Sequence, residues 1–356
     1  MINERIRLLQ NELNGGEAAL ITSAPGRFYY TGFPSSAGCV AVTRKRAVFF
    51  IDFRYYEKAS KTVTDCETVL QKSLYSQISN LFTEEKISTV YLETASVTLD
   101  SYGALSKKLG GISVSDDSRI QRFILKQRSI KSAQEIGKIK AAQQMTDETF
   151  SYIIGRIEEG RTEREIMLDM EFFMRRLGSE GTAFDFIVVS GKNSSLPHGV
   201  PTDKAIQKGD FVTMDFGAVY GGYRSDMTRT VAVGWVGEKQ RNVYETVLTA
   251  QKKTIDFIKP GVVCKDVDSV ARNIIAEAGY DGCFGHGLGH SVGLEIHEEP
   301  ACNTVCETVM CKGMVMTVEP GIYIENEFGV RIEDMVIVTE NGCEDITASR
   351  KDLIIL

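Results

Sequence analysis

A chain of 356 residues, 43% hydrophobic and 25% charged, has the balance of a globular protein with a sizeable core, and its length suits two domains better than one. With 41 basic against 48 acidic residues the net charge is −7, so there is no basic excess of the kind a nucleic-acid partner calls for. The first thirteen residues mix Glu4, Arg5, Arg7 and Glu12 with apolar ones, unlike a signal peptide, and no apolar run approaches a membrane span. The expected address is therefore the cytoplasm, where the eight cysteines would be free thiols. Cys302, Cys306 and Cys311 lie close in sequence, but no Cys-x-x-Cys pair is present, which favours buried or loop thiols over a structural zinc site.

In chain order, Ile2, Ile6, Leu9 and Leu13 recur at a helical period. Residues 18–22, 38–43, 47–52 and 90–92 are short, apolar and β-branched, and predict strands. Helices are expected over 73–82 and 101–109, giving an N-terminal α/β domain with a small sheet over residues 1–126. From 127 to 356 the texture changes. Ile136, Ile139, Met145, Phe150, Ile153 and Ile157 mark a long amphipathic helix from Ala133. Thr162-Glu163-Arg164-Glu165 is a capping box opening a second helix that ends near Gly178. Two more helices are expected over 239–258 and 266–278, separated by Pro260-Gly261.

Strands alternate with these helices. Residues 211–217 and 225–233 flank Tyr220-Gly221-Gly222, a hairpin signal, and 314–319 and 329–338 form a similar pair. Each first strand ends in an acid with glycine two residues on, Asp215-Phe216-Gly217 and Glu319-Pro320-Gly321. Each second strand carries another acid, Asp226 or Glu333. The fold class expected is α+β, with a C-terminal antiparallel sheet flanked by helices and built of two related halves.

The chain has only four histidines, all beyond its midpoint: His198 in Leu-Pro-His-Gly, and His286, His290 and His297 together in a glycine-rich segment. One such histidine alone is ordinarily structural. All four in glycine-flanked settings point to a site, because glycine lets backbone or substrate approach closely. The strand acids have a bland reading too, as salt-bridge partners of Arg224, Arg229 or Arg331. Four acids on two matching hairpins, with a histidine, shift the reading towards metal, since buried carboxylates must pair or bind cations. Asp215, Asp226, His290, Glu319 and Glu333 then form a ligand set whose four negative charges two divalent ions neutralise. Bridging carboxylates could hold the ions roughly 3.5–4 Å apart. An oxygen-rich set with one imidazole suits Mn²⁺ first, then Co²⁺, Zn²⁺ or Fe²⁺.

These residues, in order and context, resemble the pita-bread metallopeptidases, a family that includes methionine aminopeptidase, aminopeptidase P and Xaa-Pro dipeptidase. Tyr29-Tyr30-Thr31-Gly32-Phe33 and Asp52-Phe53-Arg54-Tyr55 resemble the N-terminal domain of its prolyl-specific branch. The resemblance implies metal-dependent hydrolysis of the X–Pro bond at the N-terminus of a dipeptide or short peptide. It implies that His286 and Arg331 bind the proline side, that His198 and His297 contact the scissile carbonyl, and that the enzyme is a homodimer. Glu319 is then the expected proton acceptor. Proline explains a dedicated enzyme, because its amide has no N–H for a general peptidase to hold. A catalytically silent peptide-binding module of the same fold would have a broken ligand set, and a methionine-type aminopeptidase would lack His286, Arg331 and the N-terminal domain.

Overall fold

The structure, a computed structural model, describes residues 2–356. The chain divides into two compact units, one running to Arg128 and the other from Ser129 onward.

The N-terminal unit contains α1 (Ile2–Glu12), β1 (Glu17–Ile21), α2 (Ala24–Thr31), β2 (Cys39–Thr43), β3 (Ala47–Ile51), α3 (Phe53–Thr62), β4 (Glu67–Leu70), α4 (Leu74–Glu84), β5 (Thr89–Leu92), α5 (Leu99–Lys108) and β6 (Ser113–Ser115), and the chain leaves it through α6 (Arg119–Ser129). Its six strands form one mixed sheet in the order β4-β3-β2-β1-β5-β6, antiparallel around β2 and parallel towards both edges. Leu20, Val48 and Phe50 of the sheet pack with Ile78 and Phe82 of α4 in its core. Asp52, expected to finish a strand, instead caps α3 by accepting from the Arg54 N–H at 3.0 Å. In α2, absent from the sequence reading, Ser23 caps the start and Gly32 ends the helix at φ +67°.

The C-terminal unit opens with α7 (Ala133–Ile153), started by a Ser132–Glu135 capping box and ending short of the expected Ile157. Next comes α8 (Glu163–Arg176), where Thr162 and Glu165 cap each other as their spacing predicts. Phe150 and Ile153 of α7 and Ile166 and Met170 of α8 pack against the strands in one core cluster. Full burial of each such side chain stabilises the fold by about 1.5–3 kcal/mol. There follow β7 (Ile187–Ser190), a 3₁₀ turn (Gly191–Ser195), β8 (Phe211–Phe216), β9 (Val219–Tyr220), β10 (Tyr223–Arg224), β11 (Met227–Ala232), α9 (Glu238–Phe257), α10 (Cys264–Ile275), β12 (Gly289–Ser291), β13 (Glu298–Cys302), β14 (Val315–Val318), β15 (Gly321–Ile324), β16 (Phe328–Arg331), β17 (Asp334–Val338) and β18 (Cys343–Asp345). They make an antiparallel three-stranded sheet β11-β8-β7 and a five-stranded sheet β13-β12-β14-β17-β18.

The two halves share a plan. A long pair, β8 with β11 or β14 with β17, carries a short two-stranded tip, β9–β10 or β15–β16. The expected strand 329–338 is thus two strands, β16 and β17, with a break between them, and the expected strand 225–233 shortens to β11, with a like break separating it from β10. The breaks hold Asp226, just ahead of β11, and Glu333, just ahead of β17. At the second break the Glu333 N–H donates to the Thr228 carbonyl of the other half at 3.1 Å, so its backbone has left the hairpin ladder. In this way the fold aims acids from both halves at one place.

Candidate metal centre

Asp215 lies near the end of β8, Asp226 in the first break, Glu319 just after β14 and Glu333 in the second break, while His290 is the middle residue of β12. His290 Nε2 lies 3.6 Å from Asp226 Oδ2 and 3.4 Å from Glu319 Oε1. Ligand atoms of Asp226, His290 and Glu333 all fall within 4.8 Å of one another. Gly289 permits this approach of β12 to β14, because a Cβ there would overlap the Thr317 carbonyl.

The donor set can be tested against a cation. His290 Nδ1 lies 3.2 Å from the Ser291 carbonyl, which fixes its proton on that side. Its Nε2 lone pair therefore faces carboxylate oxygens, an arrangement that repels unless a cation lies between them. Asp215 Oδ1 is buried and has no hydrogen-bond partner among the described residues. Burial, then the charge of Glu333, pushes Asp226 well above the usual carboxylate range. Burial and the charge of Glu319 do the same to Glu333. Glu319 is pushed by burial up to about 8, with Arg331 opposing. Burial lowers His290 to about 4, so the ring is neutral and able to ligate. Crowded acids, an orphaned oxygen and a neutral imidazole fit divalent metal.

All five lie on one cavity of about 800 Å³, together with His198, His286, His297 and Arg331. His297 stands edge-on to His290 with ring centroids 4.4 Å apart. It and His198 are the exposed imidazoles of the site, whereas burial holds His286 at about 4 and keeps it neutral.

Arg331 is more committed than a simple substrate-binding role implies. Its Nη2 donates to Asp215 Oδ2 at 2.7 Å, its Nε to Thr228 Oγ1 at 2.9 Å, and its Nη1 to Tyr323 Oη at 2.9 Å and the Pro197 carbonyl at 3.2 Å. Four of the five guanidinium N–H groups are thereby taken. His286 uses both nitrogens as well, Nδ1 on the Gly287 carbonyl at 2.8 Å and Nε2 on Tyr323 Oη at 2.9 Å.

Several supporting residues escaped the sequence reading. Tyr323 joins His286 to Arg331. Thr228 donates to Glu333 Oε2 at 2.6 Å, and Thr317 to Glu319 Oε1 at 3.1 Å. Glu163 was read only as part of a cap. Fully buried, it also accepts from Ser190, Asn193 and Thr202 and so ties down the segment carrying His198. Asp268 and Arg272 of α10 grip the backbone of Phe284, His286 and Leu288. Buried Lys131 meets Ser291 at 2.6 Å and Glu298 at 3.3 Å. Tyr323 had a signal, four residues beyond Glu319 in the strand β15 that follows it. The others are ordinary residues recruited from distant positions.

Residues 137–340 match metallopeptidase family M24, and residues 5–130 match the creatinase/prolidase N-terminal domain. The chain belongs to metallopeptidase family M24. It is 38% identical to an Xaa-Pro dipeptidase of Pyrococcus horikoshii over 99% of each chain. Among solved structures it is similar to an Xaa-Pro dipeptidase from Bacillus anthracis (42% identity, TM-score 0.95, covering 100% of this chain and 99% of the other). It is also similar to an X-Pro aminopeptidase from Thermotoga maritima (35% identity, TM-score 0.91, 99% of each).

Proposed function

We propose that the protein hydrolyses the X–Pro bond of dipeptides as an Xaa-Pro dipeptidase, with two divalent ions held by Asp215, Asp226, His290, Glu319 and Glu333. The observation that carries this reading is the convergence of these five residues with His198, His286, His297 and Arg331 on one cavity of an M24 fold. When bound, the ions supply an acidified water and positive charge for the reacting carbonyl. Glu319, at the centre of the acids, accepts the water proton and delivers it to the proline nitrogen as that bond breaks. His198 and His297 donate to the carbonyl oxygen as it gains charge. The acids attract the substrate's free amine and restrict cleavage to the N-terminal bond. His286, Tyr323 and Arg331 form the rigid wall against which the proline ring is placed.

The hard, oxygen-rich set favours Mn²⁺. Eight free thiols suit a reducing cytoplasm. None of the described helices is long and apolar enough to cross a membrane. By family resemblance the working form is a homodimer. The likeness to an X-Pro aminopeptidase favours one second reading, cleavage of longer peptides. Hydrolysis of Ala-Pro and Ala-Pro-Ala by chelator-stripped protein, with and without Mn²⁺, tests both. Metal-dependent cleavage of the dipeptide alone supports the dipeptidase, cleavage of the tripeptide supports the aminopeptidase, and cleavage of neither overturns the proposal.

A further inference from the structure

Lys131 does not line the cavity but lies behind its wall, just before the Ser132 cap of α7. Its side chain is 1% exposed, and a lysine is almost never buried so fully unless paired. Its Nζ donates to Ser291 Oγ at 2.6 Å and lies 3.3 Å from Oε2 of Glu298, whose carboxylate is buried too. These two residues immediately follow His290 and His297. Ser291 ends β12, Glu298 begins β13, and the two face each other as Cα partners. Beside them the register shifts, passing over Glu299 and Pro300 before His290 pairs with Ala301. One ammonium thus grips the residue behind each of two imidazoles whose ring centroids stand 4.4 Å apart.

Each grip is passed on to a ring. The Ser291 carbonyl lies 3.2 Å from His290 Nδ1. Glu298 Oε1 accepts from the Leu294 N–H at 2.8 Å and the Glu295 N–H at 3.2 Å, closing the turn that leads into His297. Gly293 leaves room for that carboxylate, since a Cβ there would lie 2.6 Å from its oxygens. The lysine is itself fixed: its backbone N–H donates to Gly313 O at 2.8 Å, and the Ser132–Glu135 capping box follows at once. Arg224 holds the same turn independently, with its backbone N–H on Gly293 O at 2.9 Å and its Nε on Leu294 O at 3.1 Å. Loss of Lys131 would therefore loosen the turn without releasing it.

We propose that Lys131 is a positioning residue that fixes the His297 ring relative to His290, at the place where the carbonyl oxygen gains charge. This rests on the reading of the cavity as an X–Pro hydrolase, in which His290 is a metal ligand and His297 donates to that oxygen. The ladder between β12 and β13 is irregular at this point, and the buried ammonium supplies the rigidity that regular pairing would give. Misplacing a catalytic group by about 1 Å costs on the order of 10²-fold in rate.

The test compares full-length Lys131→Met protein with a Lys131→Met/Glu298→Gln double variant, which leaves no buried carboxylate stripped of its cation and keeps the test open if the single variant folds poorly. The chain has four histidines, so their ring signals can be followed one by one in nuclear magnetic resonance spectra of metal-free protein labelled at histidine nitrogen. The expected result is that the His297 ring signals move or broaden in both variants while those of His198 and His286 stay in place. With metal bound as before, kcat for Ala-Pro should fall about 10–100-fold while KM changes little. The double variant should regain most of the melting temperature lost by the single one without regaining kcat, which separates positioning from a merely stabilising ion pair. Unmoved His297 signals, an unchanged kcat, or a kcat that returns together with the melting temperature would each overturn the proposal. Failure of the unmutated protein to cleave Ala-Pro would instead overturn the hydrolase reading, and the His297 signals would still decide whether Lys131 sets the ring.

Discussion

Glu333 and Asp334 are neighbours at the head of β17, both buried, yet they live in opposite electrostatic worlds. Asp334 faces a closed network. Arg229 donates to its Oδ1 at 2.6 Å, Gln251 to its Oδ2 at 2.6 Å, and Lys351 also pairs with it. Although burial opposes this, Arg229 and Lys351 hold its carboxyl below the usual range. Glu333 faces the other acids and, among the described residues, has only Thr228 as a side-chain donor. One acid is satisfied by the protein's own cations; the other is crowded by like charge. That contrast separates a brace from a candidate binding site more clearly than burial does, since burial is the same for both.

The largest expected effect falls on the open side. Asp215→Asn or Glu319→Ala should lose bound metal and X–Pro cleavage together, by more than the roughly 10–100-fold typical of losing an outer partner. Full activity in metal-replete Asp215→Asn protein, read by elemental analysis alongside kinetics, would remove Asp215 from the ligand set. On the closed side, Arg229→Met leaves Asp334 Oδ1 without its donor and breaks the bonds of Arg229 to the Glu333 and Ser349 carbonyls, and should cost about 3–5 kcal/mol in denaturant unfolding. A stability unchanged within error would show that Asp334 is held by other groups.

The two sides should also answer pH with opposite signs. Glu319 has a folded value of about 8, above its ordinary one, so in metal-free protein it contributes stability fully present in acid and lost as pH rises from about 4.5 towards 8. Asp334 is lowered, so its contribution is present at neutral pH and lost as pH falls below the usual carboxylate range. Melting curves of chelated protein should therefore fall between pH 5 and 8, and added divalent metal should flatten that decline. A rise over the same interval would contradict the crowding of the acids. Smallest in effect, His286→Ala should weaken discrimination for proline-containing peptides while metal stays bound. Unchanged kinetics on such peptides would refute its place beside the ring.

The open side was the more legible in sequence. Metal chemistry needs particular residue types, and four histidines and four hairpin acids are conspicuous among 356 residues. The closed side uses Arg229, Gln251 and Lys351, common residues at distant positions, and nothing in the sequence pairs them. Glu163 hid in the same way, because its buried carboxylate is satisfied by hydroxyls, amides and backbone N–H groups. Among the strands, β13 (Glu-Glu-Pro-Ala-Cys) has no apolar run, while β6 and β18 have three residues each and give too little pattern to read. The breaks at Asp226 and Glu333 escaped because β11 and β17 are buried along their whole length, so no alternation of apolar and polar residues marks where a strand ends.

The central claim is that the acids of the two halves form a centre for two cations. Metal content and Ala-Pro hydrolysis should be followed together as the chelated protein is titrated with Mn²⁺. The account predicts that activity rises with occupancy and saturates near two ions per chain. Full activity in metal-free protein, or bound metal with no gain in cleavage, would contradict it.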